Sequence, residues 1–231
     1  MKGFLSRLVL EPRSREVQRD LSDGQRLHRR VMSGFPDVGE SARKTLGVLF
    51  RVESGPQGVT LLVQSQTAPE WSKLPDGYLA TDWFGGQSAV AVTGLEGVLG
   101  RCVAKAEMRF RLRANPTRCI DSKSGPDGEK RRGKRVPLRR EDSRLDWLRR
   151  KAEAAGFEVV EVQGAAGVMD AMQREPTVVR GRRDSGLVTI EGVLFEGRLR
   201  VMEPEVFRAA LLDGIGRGRA YGFGLLSVAP L

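Results

Sequence analysis

The order of apolar periodicities along the chain predicts an α+β fold of two tandem ferredoxin-like, or RRM-like, domains. Three observations carry this. The 231 residues are a little more than one average domain, so one or two are expected. The periodicities run β-α-β-β-(α)-β and then β-α-β-β-α-β. Each run spans roughly 100 residues and has the split-βαβ arrangement. The expected division is 1–95, a joint at 96–105, and 106–231. Sheets of this kind commonly bind RNA, but a fold alone assigns no function.

The elements follow in order. Phe4–Leu10 is a short apolar run stopped near Pro12 and predicts a strand. Arg13–Asp20 is polar and predicts a loop. Ser22 or Asp23 caps a helix running to Ser33, ended by Gly34 and Pro36. Leu27 and Val31 mark its buried face, with Gln25, His28 and Met32 on a neighbouring stripe. Thr45–Glu53 and Gly58–Gln64 are β-rich and predict a hairpin through Ser54-Gly55-Pro56-Gln57. Thr67–Gly86 is less regular, with room for a short helix. Gly94–Lys105 reads as the joint.

In the second half, Glu107–Ala114 alternates strictly. Met108, Phe110 and Leu112 share one face and Arg109, Arg111 and Arg113 the other, the mark of a half-buried strand. Asp121–Gly133 is a basic loop by composition. Val136–Arg139 returns as a strand. Arg140–Ala155 is a helix with Leu145, Leu148 and Ala152 inward. Phe157–Val162, Thr177–Arg180 and Leu187–Val201 are strands, and Pro204–Leu212 is a helix. Glycine-rich Gly214–Gly224 leads into the final strand, Leu225–Val228.

Composition narrows the function. Lys and Arg number 39 against 29 Asp and Glu, a net charge of +10, and 31 of the 39 cations are Arg. Between Arg118 and Lys151, thirteen cations face six acids, so most of the surplus lies in this stretch. A solvated loop beside an ordinary helix is the plain explanation of one such run. Further clusters at Arg26–Arg30, Arg109–Arg113, Arg180–Arg183 and Arg217–Arg219 favour a phosphate-bearing partner, because guanidinium is a planar bidentate fork. A membrane surface would also want a basic amphipathic helix with bulky apolar anchors. None stands out, so nucleic acid is the better partner. No stretch approaches the ~18 apolar residues of a membrane span, and the start lacks the pattern of a signal peptide. A soluble cytoplasmic protein is expected. Cys102, Cys119 and His28 are the whole Cys/His inventory. They supply neither a Cys/His zinc site nor a disulfide framework, so no metal or cofactor is expected.

Several strings then give a resemblance. They are Gln25-Arg26-Leu27-His28 with Phe35-Pro36, Phe110-Arg111-Leu112-Arg113-Ala114-Asn115-Pro116, and Val136-Pro137-Leu138 followed by Trp147-Leu148. Phe195-Glu196-Gly197 and the stretch from Gly214 to Pro230 complete the set. In this order, across nearly the whole chain, they resemble the CasE family, the precursor-RNA endoribonucleases of type I-E CRISPR systems. The resemblance implies two ferredoxin-like domains. It implies a partner, the stem-loop of the CRISPR repeat, that is bound and cut. It also implies a guide RNA retained for assembly with other Cascade subunits.

The chemistry this implies needs no metal. RNA cleaves itself when its 2′-hydroxyl loses a proton in line with the adjacent phosphate, giving a 2′,3′-cyclic phosphate and a 5′-hydroxyl. The protein supplies proton transfer, charge stabilisation and alignment. Histidine titrates near neutrality and suits either proton role. A lone helix histidine is ordinarily structural or exposed. The position of His28 in the family's active-site string is what makes it the catalytic candidate. Three residues earlier the family often has tyrosine. Here that position is Gln25, which donates and accepts hydrogen bonds but does not titrate. Arg29 is a candidate for stabilising the phosphorane, or a solvent-facing helix arginine.

By the same resemblance, the turn around Arg180, Arg182 and Arg183 grips the stem, supported by Arg139, Arg140 and Arg144. Gly216, Gly218 and Arg219 of the glycine-rich segment contact RNA beside the active site, or form a compact connection. Arg217 falls where the family commonly has proline. Duplex RNA is read mainly through its shape, phosphates and 2′-hydroxyls. The competing reading is a non-catalytic RNA-hairpin-binding subunit of the same fold.

Overall fold

The computed structural model describes residues 2–39, 41–55, 58–81, 87–120, 133–162, 169–174, 176–183 and 186–231, without the side chain of Arg183. The basic loop expected at 121–133 lies, but for Gly133, outside the described residues. So do Pro56 and Gln57 of the expected hairpin turn.

The first half comprises β1 (Phe4–Leu10), α1 (Arg15–Ser22), α2 (Gly24–Met32), α3 (Ala42–Thr45), β2 (Leu49–Gly55), β3 (Gly58–Ser65) and β4 (Val90–Gly94). Its four strands form an antiparallel sheet in the order β2-β3-β1-β4. Leu8, Leu10, Leu61 and Val63 alternate inward and meet Leu27 and Val31 of α2 in one core.

Two expectations change here, and the short helix allowed after β3 is found. Arg13–Asp20 contains most of a helix rather than a loop. Its one early apolar residue, Val17, is fully buried, and Asp20 is buried beside it. Asp20 accepts from Arg30 Nε (2.7 Å) and from the Tyr78 hydroxyl (3.1 Å). A buried carboxylate with partners 10 and 58 residues away leaves no local pattern to read. Strand β2 starts at Leu49 because Ala42–Thr45 is a helical turn. In the irregular stretch after β3, a 3-10 turn at Trp71–Lys73 seats Trp71 in the core, where its Nε1 donates to Ser6 Oγ at 2.9 Å.

The second half comprises α4 (Glu96–Gly100), β5 (Glu107–Ala114), β6 (Thr117–Ile120), β7 (Lys134–Pro137), α5 (Glu141–Glu153), β8 (Phe157–Val159), β9 (Ala171–Gln173), β10 (Thr177–Arg183), β11 (Gly186–Val201), α6 (Pro204–Asp213) and β12 (Leu226–Pro230). The main path is β10-β11-β5-β12, with β8 and β9 also paired to β11. Strand β5 buries Met108, Phe110, Leu112 and Ala114 on one face. In α5, Trp147 joins Leu148 and Ala152 inward, while Leu145 is only half-buried. Residues 96–105 are not free chain: Leu99 and Cys102 sit in the second core with Phe110, Phe157 and Phe207. Among the described residues, no helix is long and apolar enough to cross a membrane.

Strand β11 is long, and this shapes the molecule. Val193 to Arg200 pairs with β5, whereas Gly186 to Gly192 pairs only with β10. The β10–β11 hairpin therefore continues past the end of β5 as an arm. Strand β10 reaches Arg183 where the sequence predicted an end at Arg180.

The two sheets are bound by Arg51 of β2, which is only 2% exposed. Its Nη1 donates to the carbonyls of Arg111 (3.3 Å) and Leu225 (3.1 Å), and its Nη2 to Ser227 Oγ (3.0 Å). Glu53 accepts from Arg51 Nε (2.9 Å) and Arg111 Nη1 (3.0 Å), and Arg111 pairs onward with Glu196. Burial alone would raise the Glu53 carboxyl. Arg51 and Arg111 outweigh it and hold Glu53 below the ordinary glutamate value.

Candidate active site

Helix α2 is short, and its position is fixed at both ends. Asp23 caps it by accepting from the backbone N–H of Gln25 (2.8 Å) and Arg26 (3.3 Å). At the other end, Arg30 ties it to α1 through Asp20 and Glu16 (2.9 Å), with its guanidinium 5.0 Å over the Tyr78 ring. Burial, then Asp20, pushes the Tyr78 phenol well above its ordinary range, so it stays a neutral donor.

The N-terminus of α2 meets the second half at two glycines. A Cβ on Gly24 would stand 2.8 Å from Tyr221 Cδ1 and 2.8 Å from Val179 Cγ1. A Cβ on Gly181 would stand 2.7 Å from Tyr221 Cε1 and 3.2 Å from the Gln25 nitrogen. Helix, arm and glycine-rich turn therefore approach more closely than any side chain on either glycine allows. The turn itself, a 3-10 segment at Arg219–Tyr221, is flanked by Gly218 and Gly222 at φ +77° and +82°, a region that favours glycine.

His28 lies one turn along α2, half-buried. Its ring stacks on Phe50 of β2 with centroids 6.4 Å apart and planes 19° apart. Phe50 in turn stands against Gly222, where a Cβ would be 3.2 Å from its Cε2. Phe50 thus links His28 to the glycine-rich turn. Gln25 shares this side, and its Oε1 is buried without a hydrogen-bond partner among the described residues.

The arm has two unlike faces. Val179 and Gly181 face α2. Val178, Arg180 and Arg182 point outward and are exposed, level with Glu191, Thr189 and Leu187 of β11. Arg139 joins this outer face through Glu191 (3.2 Å). Arg140 and Arg144 begin α5 in line with Trp147, whose ring edge would lie 3.2 Å from a Cβ on Gly216. Arg144 Nε is used on the Leu138 carbonyl (2.9 Å), and Arg140 pairs with Asp142 (3.3 Å). Arg219 donates to the carbonyls of Gly216 (3.2 Å) and Gly214 (2.9 Å), bracing its own loop.

The structure brings His28 and Gln25 together on α2, beside the arm and the Arg219–Tyr221 turn, whereas Arg180 and Arg182 lie on the arm's outward face and Gly216 and Gly218 pack on Trp147 and Phe223. It does not bring Arg29 to the Phe50 side. Arg29 lines a separate pocket of about 310 Å³ with Asp20, Arg26, Arg30 and Ser33. The Arg183 side chain lies outside the described residues.

The chain is similar to known proteins along its whole length. Residues 3–230 match a family described as CRISPR associated protein. The chain is 34% identical to the CRISPR-associated endoribonuclease Cse3 of Thermus thermophilus, across 98% of this chain and 100% of that one. It is 30% identical to the CRISPR system Cascade subunit CasE of Escherichia coli, across 99% and 100%. The chain belongs to the CasE family of CRISPR-associated endoribonucleases. The CasE-family fold is matched over the whole of both chains by the structure of Thermus thermophilus Cse3 bound to an RNA representing a pre-cleavage complex, with a TM-score of 0.80 and 32% identity. Strong similarity in both sequence and fold agrees with the resemblance read from the motif strings.

Three residues around the candidate site had no signal in the sequence. Phe50 reads as an ordinary core strand residue, and its stacking partner is 22 positions away. Tyr221 reads as part of a glycine-rich connection. Arg43 sits in an unremarkable Ser-Ala-Arg-Lys-Thr stretch, yet it lines a groove together with Arg219.

Proposed function

We propose that this CasE-family member binds the stem-loop of a CRISPR repeat and cleaves precursor CRISPR RNA through the substrate's own 2′-hydroxyl. The products are a 2′,3′-cyclic phosphate and a 5′-hydroxyl. The observation that carries this reading is His28, fixed on Phe50 beside the glycine-rich turn and next to an arm whose outer face carries Arg180 and Arg182.

The nucleophile belongs to the RNA, so the protein's share is proton transfer and alignment. His28 takes the 2′-hydroxyl proton, gives one to the leaving 5′-oxygen, or does both in turn. Gln25 orients the phosphate through its amide rather than by titrating. Arg180, Arg182, Arg183 and Arg139 hold the stem through its phosphates, with Arg140 and Arg144 in support. Gly216 and Gly218 let the RNA backbone come close. No step calls for a metal.

The architecture is read as two ferredoxin-like units, 1–95 and 106–231, joined by 96–105. What supports this is strand order: in each half the second strand of the βαββαβ pattern sits at one edge, followed by the third, the first and the fourth. After cleavage the guide RNA stays bound for assembly with other Cascade subunits, in the cytoplasm.

Gln25 favours one competing reading, a non-catalytic hairpin-binding subunit. Incubating the protein with its cognate repeat hairpin in EDTA separates the two. Cleavage at the base of the stem is expected. Tight binding without cleavage would support the binding subunit instead.

A further inference from the structure

Arg43 is half-buried on α3, and its Nη1 donates to the Val48 carbonyl at 3.3 Å. Among the described residues, most of its five donors remain uncommitted. It lines a groove of about 590 Å³ together with Arg217, Arg219, Gly216 and Gly218, and the inward-facing Val188 and Ile190 of β11 form one wall. Among the described residues, three arginines and no carboxylate line this groove. Burial, and then the charge of Arg219, holds the Arg43 guanidinium below its ordinary pKa. Two cations facing each other in a partly desolvated groove are mutually unfavourable until an anion lies between them.

Arg219 is braced for this role. Its Nε and Nη2 bind carbonyls of its own loop, so the guanidinium is held in place with Nη1 left over. The apolar wall identifies the anion further. Val188 and Ile190 suit the sugar and base edges flanking a phosphodiester and would contribute nothing to a small free anion. The groove also adjoins the active helix, because the Arg219–Tyr221 turn leads into Gly222 and so to Phe50 and His28.

We propose that Arg43 and Arg219 clamp one backbone phosphate of the RNA between the arm and the glycine-rich turn, beside the helix that carries His28. Arg43 belongs to the first half and Arg219 to the second, so the phosphate is gripped by both halves at once. The inference rests on the RNA-cleavage reading and adds the position of one phosphate contact to it.

The test uses the full chain and a repeat hairpin with a 2′-deoxy nucleotide at the cut, so that binding is measured without cleavage. Methylphosphonates then remove one backbone charge at a time. With the wild-type protein, one phosphate near the cut is expected to cost roughly 10-fold to 100-fold in affinity when neutralised, as for a charge-assisted bidentate contact. Arg43→Gln should lose a similar factor on the unmodified hairpin and lose nothing more at that phosphate. Arg43→Lys, which keeps the charge but not the fork, should fall between. If Arg43→Gln melts early, the same phosphate is compared between wild type and Arg43→Lys, where a smaller penalty is expected. Equal penalties in wild type and variants at every phosphate would overturn the clamp. A wild-type protein that neither binds nor cuts the all-ribose hairpin would overturn the RNA-cleavage reading instead.

Discussion

Replacing His28 with alanine is expected to slow repeat cleavage by roughly 100-fold to 10,000-fold, the range for losing a positioned general acid or base. Hairpin affinity should change little, because the outward arginines of β10 remain in place. His28 is the only histidine in the chain, so no other imidazole can take over. Its ring packs on Phe50, and truncation leaves a gap there, but the helix keeps its Asp23 cap and its Arg30–Asp20 tie. Single-turnover cleavage and binding, measured side by side, separate the two effects. Equal loss of both would mean that His28 holds the site together rather than acting in the chemistry.

Arg51→Ala is expected to produce the largest loss of stability. It removes the donor to the Leu225 carbonyl and Ser227 Oγ and leaves Glu53 with Arg111 alone. Leaving the Arg111 and Leu225 carbonyls and Ser227 Oγ without their donor costs about 1–3 kcal/mol each where they are buried, so a total of about 3–5 kcal/mol is expected. For a chain of this size, that corresponds to a melting point lower by roughly 6–20 °C. Cleavage should fall at temperatures where folding is retained, because Arg51 joins the sheet behind His28 to the sheet that carries the glycine-rich turn.

Acid should attack the same lock. Burial would raise the carboxyls of Glu53 and Glu196. Arg51 and Arg111 at the first, and Arg174 and Arg111 at the second, outweigh that and hold both below the ordinary 4.5. Groups depressed in this way contribute stability above that value and lose it as the pH falls through their folded values. The wild-type melting temperature should therefore drop below about pH 4.5. Arg51→Ala should show a shallower drop, since the Glu53 shift is smaller without its first partner. An equal slope would mean that Glu53 owes nothing to Arg51.

Local patterns carried much of this in the sequence. Strand β5 was readable because Met108, Phe110 and Leu112 alternate with arginines and one face is buried. Helix α2 was readable from Asp23, which caps it, and from Leu27 and Val31 four residues apart. The long-range partners were not readable. Helix α1 is polar around Val17 because its buried Asp20 answers to Arg30 and Tyr78. The sequence predicts an end to strand β10 at Arg180 because Gly181 breaks the apolar alternation. In the fold, that glycine is where α2 and Tyr221 come closest. Arg43 and Arg51 carry no motif at all. Their roles arise where two sheets far apart in sequence come together, and no window of neighbouring residues encodes that.

In the proposed reaction the RNA supplies its own nucleophile and His28 serves its proton transfer. Replacing the single 2′-hydroxyl at the cleaved nucleotide with hydrogen tests it most directly, with binding and cleavage measured on the same hairpin. Unchanged affinity and no detectable cleavage of the 2′-deoxy hairpin by wild-type protein are expected. Cleavage of that hairpin at the rate of the all-ribose one would contradict the proposed reaction.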